Sequence, residues 1–203
     1  MLLGLTAIGI ALAMIMFALA YPNLPSLEVL TDYRPKIPLR VYTADGHLIG
    51  EYGEERRAVI SIGEVPLLMK QAILAAEDDR FYQHGGVDYI GILRAAGTNL
   101  LGGGKRQGAS TITQQVAKNF FLSGEKTYTR KLYEALLSFK IENNLTKDQI
   151  LELYINQIFL GQRAYGFAAA ASIYYGKPLK DISIAEAAML AGLPKAPSAY
   201  NPI

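Results

Sequence analysis

The sequence predicts a mainly α domain with a short N-terminal β-hairpin, preceded by one transmembrane helix. Three observations carry this expectation. Residues 1–21 hold no charged side chain, an Asp-Gly pair sits between two β-prone runs, and six later segments show helical periodicity with recognisable caps.

The uncharged run comes first. At ~1.5 Å of rise per residue, roughly twenty apolar residues cross the ~30 Å hydrocarbon core. The run is longer than the ~7–15 residues of a signal-peptide core, which favours a retained anchor over its rival, cleavage after Ala18-Leu19-Ala20. Tyr21-Pro22 ends the helix at the interface, where Tyr is favoured. No basic residue precedes the run, so its flanks do not set its orientation. Residues 22–38 contain four prolines and read as a stiff connector, leaving 39–203 as the domain.

Within that domain LRVYTADGHLIGEY, residues 39–52, reads as a hairpin turning at Asp45-Gly46. Val65, Met69, Ile73 and Ala76 then form one apolar stripe, so a helix is expected from Pro66 to about Asp78. NLLGGGKRQGAS, residues 99–110, reads as a mobile basic loop. It is no phosphate-binding P-loop, because Ala109-Ser110 follows Gly108 where Lys-Ser/Thr is needed and no strand precedes it. Thr111 with Gln114 makes a capping box that opens a helix running to about Leu122, ended by Ser123-Gly124. Another helix covers 128–143. Thr146, boxed by Gln149, starts one expected to end at Gly161 as a C′ glycine. The Ala-rich stretch 167–175 closes at Gly176 and Pro178, and Ser183 with Glu186 caps a last helix that ends at Gly192. No internal repeat is visible. The turn-rich end suggests a domain boundary with a further domain beyond it.

Composition limits the chemistry. The 203 residues carry a formal charge of +2, too balanced for nucleic-acid binding. The absence of Cys removes disulfides, thiol nucleophiles and thiolate metal sites, while two histidines, His47 and His84, cannot build a His-rich one. Carboxylates, Lys, Arg and hydroxyls must therefore do the work.

Four constellations could carry it. In AAEDDRFYQHGG, residues 75–86, Glu77 continues the Met69–Ile73 stripe, so it is partly desolvated and its pKa is pushed up toward general acid–base use. The plainer reading is a helix-end acid paired with Arg80. Asp78 and Asp79 read as solvated and His84 as a turn residue. In GASTITQQVAKNFF, residues 108–121, Thr111, Gln115, Lys118 and Asn119 form a polar stripe without an acid, opposite Ile112, Val116 and Phe120. Such a face, beginning at a helix N-terminus, suits an anion such as phosphate, unless it is simply solvated. In TYTRKLYEALLSFK, residues 127–140, Glu134 is spaced to meet Arg130 and Lys131. Spacing leaves two readings open: a surface pair of ~0.3–0.5 kcal/mol, or a second carboxylate beside cations available to phosphate. Last, Lys147 sits in the first turn of its helix, where the macrodipole disfavours a cation, and this hints at an external anion.

Together with KDQILELYINQIFLG, YYGK and EAAMLAGLPKAPSAYNP, these segments resemble the peptidoglycan glycosyltransferase domain, family 51 of the glycosyltransferases, over roughly residues 37–203. The ending is similar to that of the class A, 1A-type penicillin-binding proteins, which implies a cytoplasmic tail before these residues and a transpeptidase domain after them. The resemblance implies a lysozyme-like glycosyltransferase domain with a large lobe and a small, membrane-associated jaw lobe. It implies that Glu77 is the general base on the 4-hydroxyl of an acceptor GlcNAc. Glu134 is similar to the second catalytic carboxylate, near the donor pyrophosphate, where a divalent cation, Mg or Mn, would bind; no organic cofactor is implied. Lys118, Arg130 and Lys131 match cations that offset the leaving group, while Thr111, Gln115 and Asn119 match polar groups of the cleft. Asp78, Phe81 and His84 resemble the support of the first motif. Ser110, Gln114, Lys147, Tyr154 and Asn156 fall within the matching motifs and are expected among the substrate-binding residues. The implied partners are lipid II and the growing glycan strand, the lipid bilayer, other cell-wall assembly proteins and moenomycin-type inhibitors. The implied location is the bacterial cytoplasmic membrane, single-pass, with the catalytic domain on the outer face. A glycan-cleaving hydrolase or lytic transglycosylase on the same fold is the enzymatic alternative, and a catalytically silent scaffold for cell-wall assembly is the other.

Overall fold

The computed structural model describes residues 21–32, 38–101, 108–122 and 127–203. These are mainly helical, with two small two-stranded sheets among the described residues. Strands β1 (Leu39–Tyr42) and β2 (Leu48–Tyr52) form the antiparallel hairpin, Leu39 opposite Tyr52, with an irregularity at Val41/Tyr42. Gly46 turns it at φ +87°, a conformation without penalty only for glycine. The expected membrane span falls, apart from Tyr21, outside the described residues, and no described helix is long and apolar enough to cross a membrane.

The stretch expected as a connector is packed into the domain over part of its length. Leu24 and Leu30 are buried, Leu30 on the one-turn helix Glu28–Thr31, and Lys140 Nζ donates to the carbonyls of Leu24 at 3.3 Å and Pro25 at 2.8 Å. Prolines stiffen this segment, but its leucines give it apolar area to bury, and burial decides where it lies.

Among the described residues seven longer helices follow: α1 (Leu67–Glu77), α2 (Tyr89–Leu101), α3 (Ile112–Phe121), α4 (Tyr128–Asn144), α5 (Lys147–Gln157), α6 (Phe167–Tyr175) and α7 (Ile184–Gly192). The capping boxes at Thr111/Gln114, Thr146/Gln149 and Ser183/Glu186 form as the sequence predicts. Helix α2 was not expected. Gly91 and Gly97 lower its propensity, and it turns Tyr89, Ile90, Leu93 and Leu100 outward, so no single buried stripe marks it.

Helix α5 ends at Gln157, four residues before the expected Gly161. Ile158 is extended and its carbonyl accepts the Gly166 N–H at 2.8 Å, while the Leu160 N–H donates to the Ala164 carbonyl at 2.9 Å. Gly161 serves this turn instead, at φ +86°, where a Cβ would collide with the Pro197 carbonyl. The turn delivers β4 (Ala164–Tyr165), which pairs in parallel with β3 (Arg56–Arg57).

Helix α5 is the centre of the core, with Ile150, Leu151, Tyr154 and Ile155 at most 1% exposed. Side chains buried to that extent contribute ~1.5–3 kcal/mol each. It packs on α3, α3 packs on α4, and α1 packs on α7. The C-terminal end of α1 meets the first turns of α3 through the Ile112 N–H on Asp78 and Gln115 on Glu77.

Candidate active site

Glu77 is the last residue of α1. Met69 and Ile73 on its stripe are fully buried, and Glu77 is half-buried, because the stripe leaves the core where the helix ends. Gln115 Nε2 donates to Glu77 Oε2 at 2.6 Å. Burial pushes the Glu77 carboxyl above its ordinary range; the Gln115 hydrogen bond and the Lys118 charge pull it back in part, and Asp78 adds a smaller upward push. Arg80, the alternative partner, is instead paired with Asp88. The carboxylate therefore has no ion pair among the described residues and lies open to a cleft.

Asp78 is a correction. The sequence suggested a solvated side chain, but it is 7% exposed, with His84 Nε2 at 3.0 and 3.1 Å from its two oxygens and the Ile112 N–H donating to Oδ2 at 3.0 Å. It leaves α1 as the C-cap, so helical periodicity no longer describes where it goes. Its charge sits at the N-terminus of α3, a favourable place for an anion. Fully buried Phe81 stands edge-on to His84, ring centroids 6.3 Å apart. Asp79 is half-exposed and meets Arg94 at 3.3 Å.

On α3 the polar residues divide into two sets. Thr111 and Gln114 are buried and used by the cap: the Thr111 hydroxyl donates to the Gly86 carbonyl at 2.5 Å and accepts the Gln114 N–H at 3.1 Å, and Gln114 Oε1 accepts the Thr111 N–H at 3.2 Å. Gln115, Lys118 and Asn119 are half-buried, with Ile112 and Val116 in the core behind them. Lys118 makes no ion pair among the described residues.

Glu134 is buried, which removes the surface-pair alternative. Its carboxylate lies 3.1 Å from Arg130 Nη1 and 2.7 Å from Lys131 Nζ, and Lys131 Nζ also donates to Ser110 Oγ at 2.8 Å and Gln114 Oε1 at 3.4 Å. The Arg130 contact is an ion pair without hydrogen-bond alignment, and Glu134 Oε1 and Arg130 Nε have no hydrogen-bond partner among the described residues. One buried carboxylate thus holds two cations, leaving the group with one net positive charge. These residues do not fit a divalent cation. A hard ion needs several oxygen ligands, Glu134 is already shared by two cations, and no cluster of three or more candidate ligands exists among the described residues.

Three expected positions point inward. Lys147 pairs with Glu142 at 2.7 Å and lies 4.4 Å over the Phe81 ring, so its anion is internal. Asn156 is buried, accepting the Ile60 N–H and donating to the Ile60 and Glu152 carbonyls. Tyr154 is 1% exposed, its hydroxyl has no partner among the described residues, and its pKa is raised by burial and secondarily by the Glu77 charge.

A cleft of about 570 Å³ opens at Glu77, bounded by Gln115, Ser110 and the end of α7. Arg94 and Lys195 also line it, and motif reading assigned neither a role. Lys195 lies inside AGLPKAPSAYNP, where the one available signal was a cation at a predicted helix end.

A half-buried carboxylate of raised pKa, held by one amide beside a cation-bearing helix, has the features of an enzyme's general acid–base group. Comparison gives that enzyme a family. Residues 45–203 match the family model described as Transglycosylase, and the chain belongs to that family of glycosyl-transferring enzymes. It is 60% identical over 203 residues to Penicillin-binding protein 1A of Neisseria cinerea, covering all of this chain and 25% of that protein. It is 56% identical over 182 residues to Penicillin-binding protein 1A of Pseudomonas aeruginosa, covering 90% of this chain and 22% of that one. A crystal structure of Penicillin-Binding Protein 1A from Haemophilus influenzae aligns with TM-score 0.41 and 31% identity, over 83% of this chain and 16% of that one. The chain spans about a quarter of the length of the curated relatives it matches.

Proposed function

We propose that the domain polymerises lipid II into β-1,4-linked glycan strands. The 4-hydroxyl of an acceptor GlcNAc attacks the anomeric carbon of the MurNAc at the reducing end of the growing strand. The new C1–O4 bond forms with inversion, the bond from C1 to undecaprenyl pyrophosphate breaks, and the hydroxyl proton passes to Glu77. The observation that carries this reading is the Glu77 carboxylate: half-buried, of raised pKa, without an ion pair among the described residues, and open to the cleft. Burial makes it a stronger base than a solvated carboxylate, and Gln115 Nε2 fixes the oxygen that is not needed for the proton.

Lys118, Arg130 and Lys131 offset the negative charge that develops on the departing pyrophosphate. Glu134 acts through Arg130 and Lys131 by holding both in place; it is a positioning residue in this scheme. A hydrolase cutting neutral glycan would have no use for these cations.

The membrane is the second part of the proposal. The uncharged run 1–21 anchors the chain on the outer face of the bacterial cytoplasmic membrane, and α2 serves as the lipid-facing part of a small jaw lobe on a lysozyme-like fold. Its Tyr89, Ile90, Leu93 and Leu100 are 62–85% exposed, an apolar surface suited to acyl chains. Other cell-wall assembly proteins and moenomycin-type inhibitors are the further partners of this reading. The test is the purified chain on liposomes containing lipid II. Glan strands with one undecaprenyl pyrophosphate released per bond support the proposal, and unchanged lipid II overturns it.

A further inference from the structure

A second cavity, of about 770 Å³, shares no lining residue with the cleft at Glu77. It is a groove between the chain from Arg56 to Ile60 on one side and α6 with the turn Leu179–Asp181 on the other. We infer that this groove docks an extended, acidic segment of a separate protein, laid alongside residues 56–60 as an added strand.

Arg56 and Ile60 turn their backbone groups toward β4 and α5. The Arg56 N–H donates to the Arg163 carbonyl at 2.9 Å, the Ile60 N–H donates to Asn156 Oδ1 at 2.9 Å, and Asn156 Nδ2 donates to the Ile60 carbonyl at 2.8 Å. The Asn156 side chain thus continues the ladder that β4 begins. Val59 is exposed between them, and its N–H and carbonyl make no hydrogen bond among the described residues. Bare main chain beside a groove takes up another strand through main-chain hydrogen bonds, here about five residues at ~3.3 Å each.

The walls of the groove are apolar, with Ala58 and Ile60 opposite Ala168, Ile173 and Leu179. Alternate side chains of a strand point to opposite faces, so every second residue of the docked segment meets this apolar surface. The free charges are of one sign. Arg57 is buried and held by Glu55 at 2.6 Å and Gln157 at 2.8 Å, whereas Arg56 and Lys180 are exposed and make no ion pair among the described residues. Glu64, the one acid among the described lining residues, already accepts the Ser61 N–H at 3.1 Å and the Ser61 hydroxyl at 2.7 Å. A segment alternating apolar with acidic residues complements both the walls and the two cations. A bilayer does not, because it takes up projecting apolar side chains such as those of α2 and leaves a recessed main chain unpaired.

The probe is a random twelve-residue peptide library, selected on the full chain in detergent micelles and counter-selected on its Ser172→Trp variant, in which an exposed α6 side chain fills the groove. Selected peptides are expected to alternate apolar and acidic residues and to weaken with salt. They should bind about tenfold more weakly to a chain carrying both Arg56→Glu and Lys180→Glu. In the unmodified chain they should shift the amide resonance of Val59 and leave that of Glu77 unmoved, a readout independent of how either variant folds. Peptides without acidic enrichment, equal affinity for the charge-reversed chain, or an unmoved Val59 amide overturn the proposal. So does a chain that selects no groove-specific peptide but on charge reversal loses an oligomer or its binding to anionic vesicles, which gives the groove to a second copy or to the bilayer.

Discussion

Gln115 Nε2 lies 2.6 Å from Glu77 Oε2, and the helix carrying that amide is fixed by its first N–H, that of Ile112, on the neighbouring Asp78 at 3.0 Å. Two adjacent carboxylates thus have opposite tasks. Asp78 is buried among hydrogen bonds that tie α1 to α3, while Glu77 faces the cleft with one oxygen held.

Gln115→Leu removes a hydrogen bond that favours the charged form of Glu77. Its pKa, already raised by burial, should rise further. A base must be deprotonated to act, so the acid limb of the rate profile is expected to move to higher pH, with the largest loss at low pH and convergence toward wild type at high pH. Polymerisation rates across pH check this, and an unshifted limb contradicts it.

Asp78→Ala should cost about 2–4 kcal/mol, because it leaves the Ile112 N–H and His84 Nε2 buried without their acceptor. Urea unfolding measures it. A cost below about 0.5 kcal/mol would show that the tie between the two helices is replaceable.

Lys118→Ala should weaken binding of moenomycin-type phosphoglycolipids and slow polymerisation while shifting stability by no more than ~0.5 kcal/mol, since Lys118 holds no structural ion pair among the described residues. A large fall in Tm with normal activity of the folded fraction would make it a structural residue.

On the proposed reading of residues 1–21 as an anchor, a chain starting at Tyr21 should keep the fold and lose rate on bilayer-borne lipid II, because enzyme and substrate would no longer be confined to one surface. A chain starting at Ser26 also loses buried Leu24 and the carbonyls that hold Lys140, and should be less stable by about 1.5–3 kcal/mol. Denaturation of the two truncated chains tests the packing, and equal rates for the Tyr21 and full chains would reduce the anchor to an address.

Local signals were legible wherever one element sufficed to define them. The hairpin at Asp45-Gly46, three capping boxes, the Gly176 stop and the position of Glu77 on its stripe all follow from short-range pattern. What failed depended on tertiary context. Asp78 found its partners on other segments, Lys147 found Glu142 and the Phe81 ring, and Gly161 served a turn that Gly166 and Ala164 complete. Helix α2 escaped because its apolar residues face outward, and Lys195 because only folding brings α7 to the end of α1.

Glu77→Gln is the most direct test of the central claim. The amide keeps the volume and removes the base, so lipid II polymerisation should fall by about 10²–10⁴-fold with substrate binding retained. Stability gives the matching control. The folded pKa of Glu77 lies above its reference of 4.5, so the carboxyl's contribution to stability is fully present below pH 4.5 and lost as pH rises through the folded value. The variant should therefore be at least as stable as wild type at pH 7, an advantage that disappears near pH 4. A folded Glu77→Gln chain that keeps more than about a tenth of the wild-type rate would contradict the assignment of Glu77 as the base.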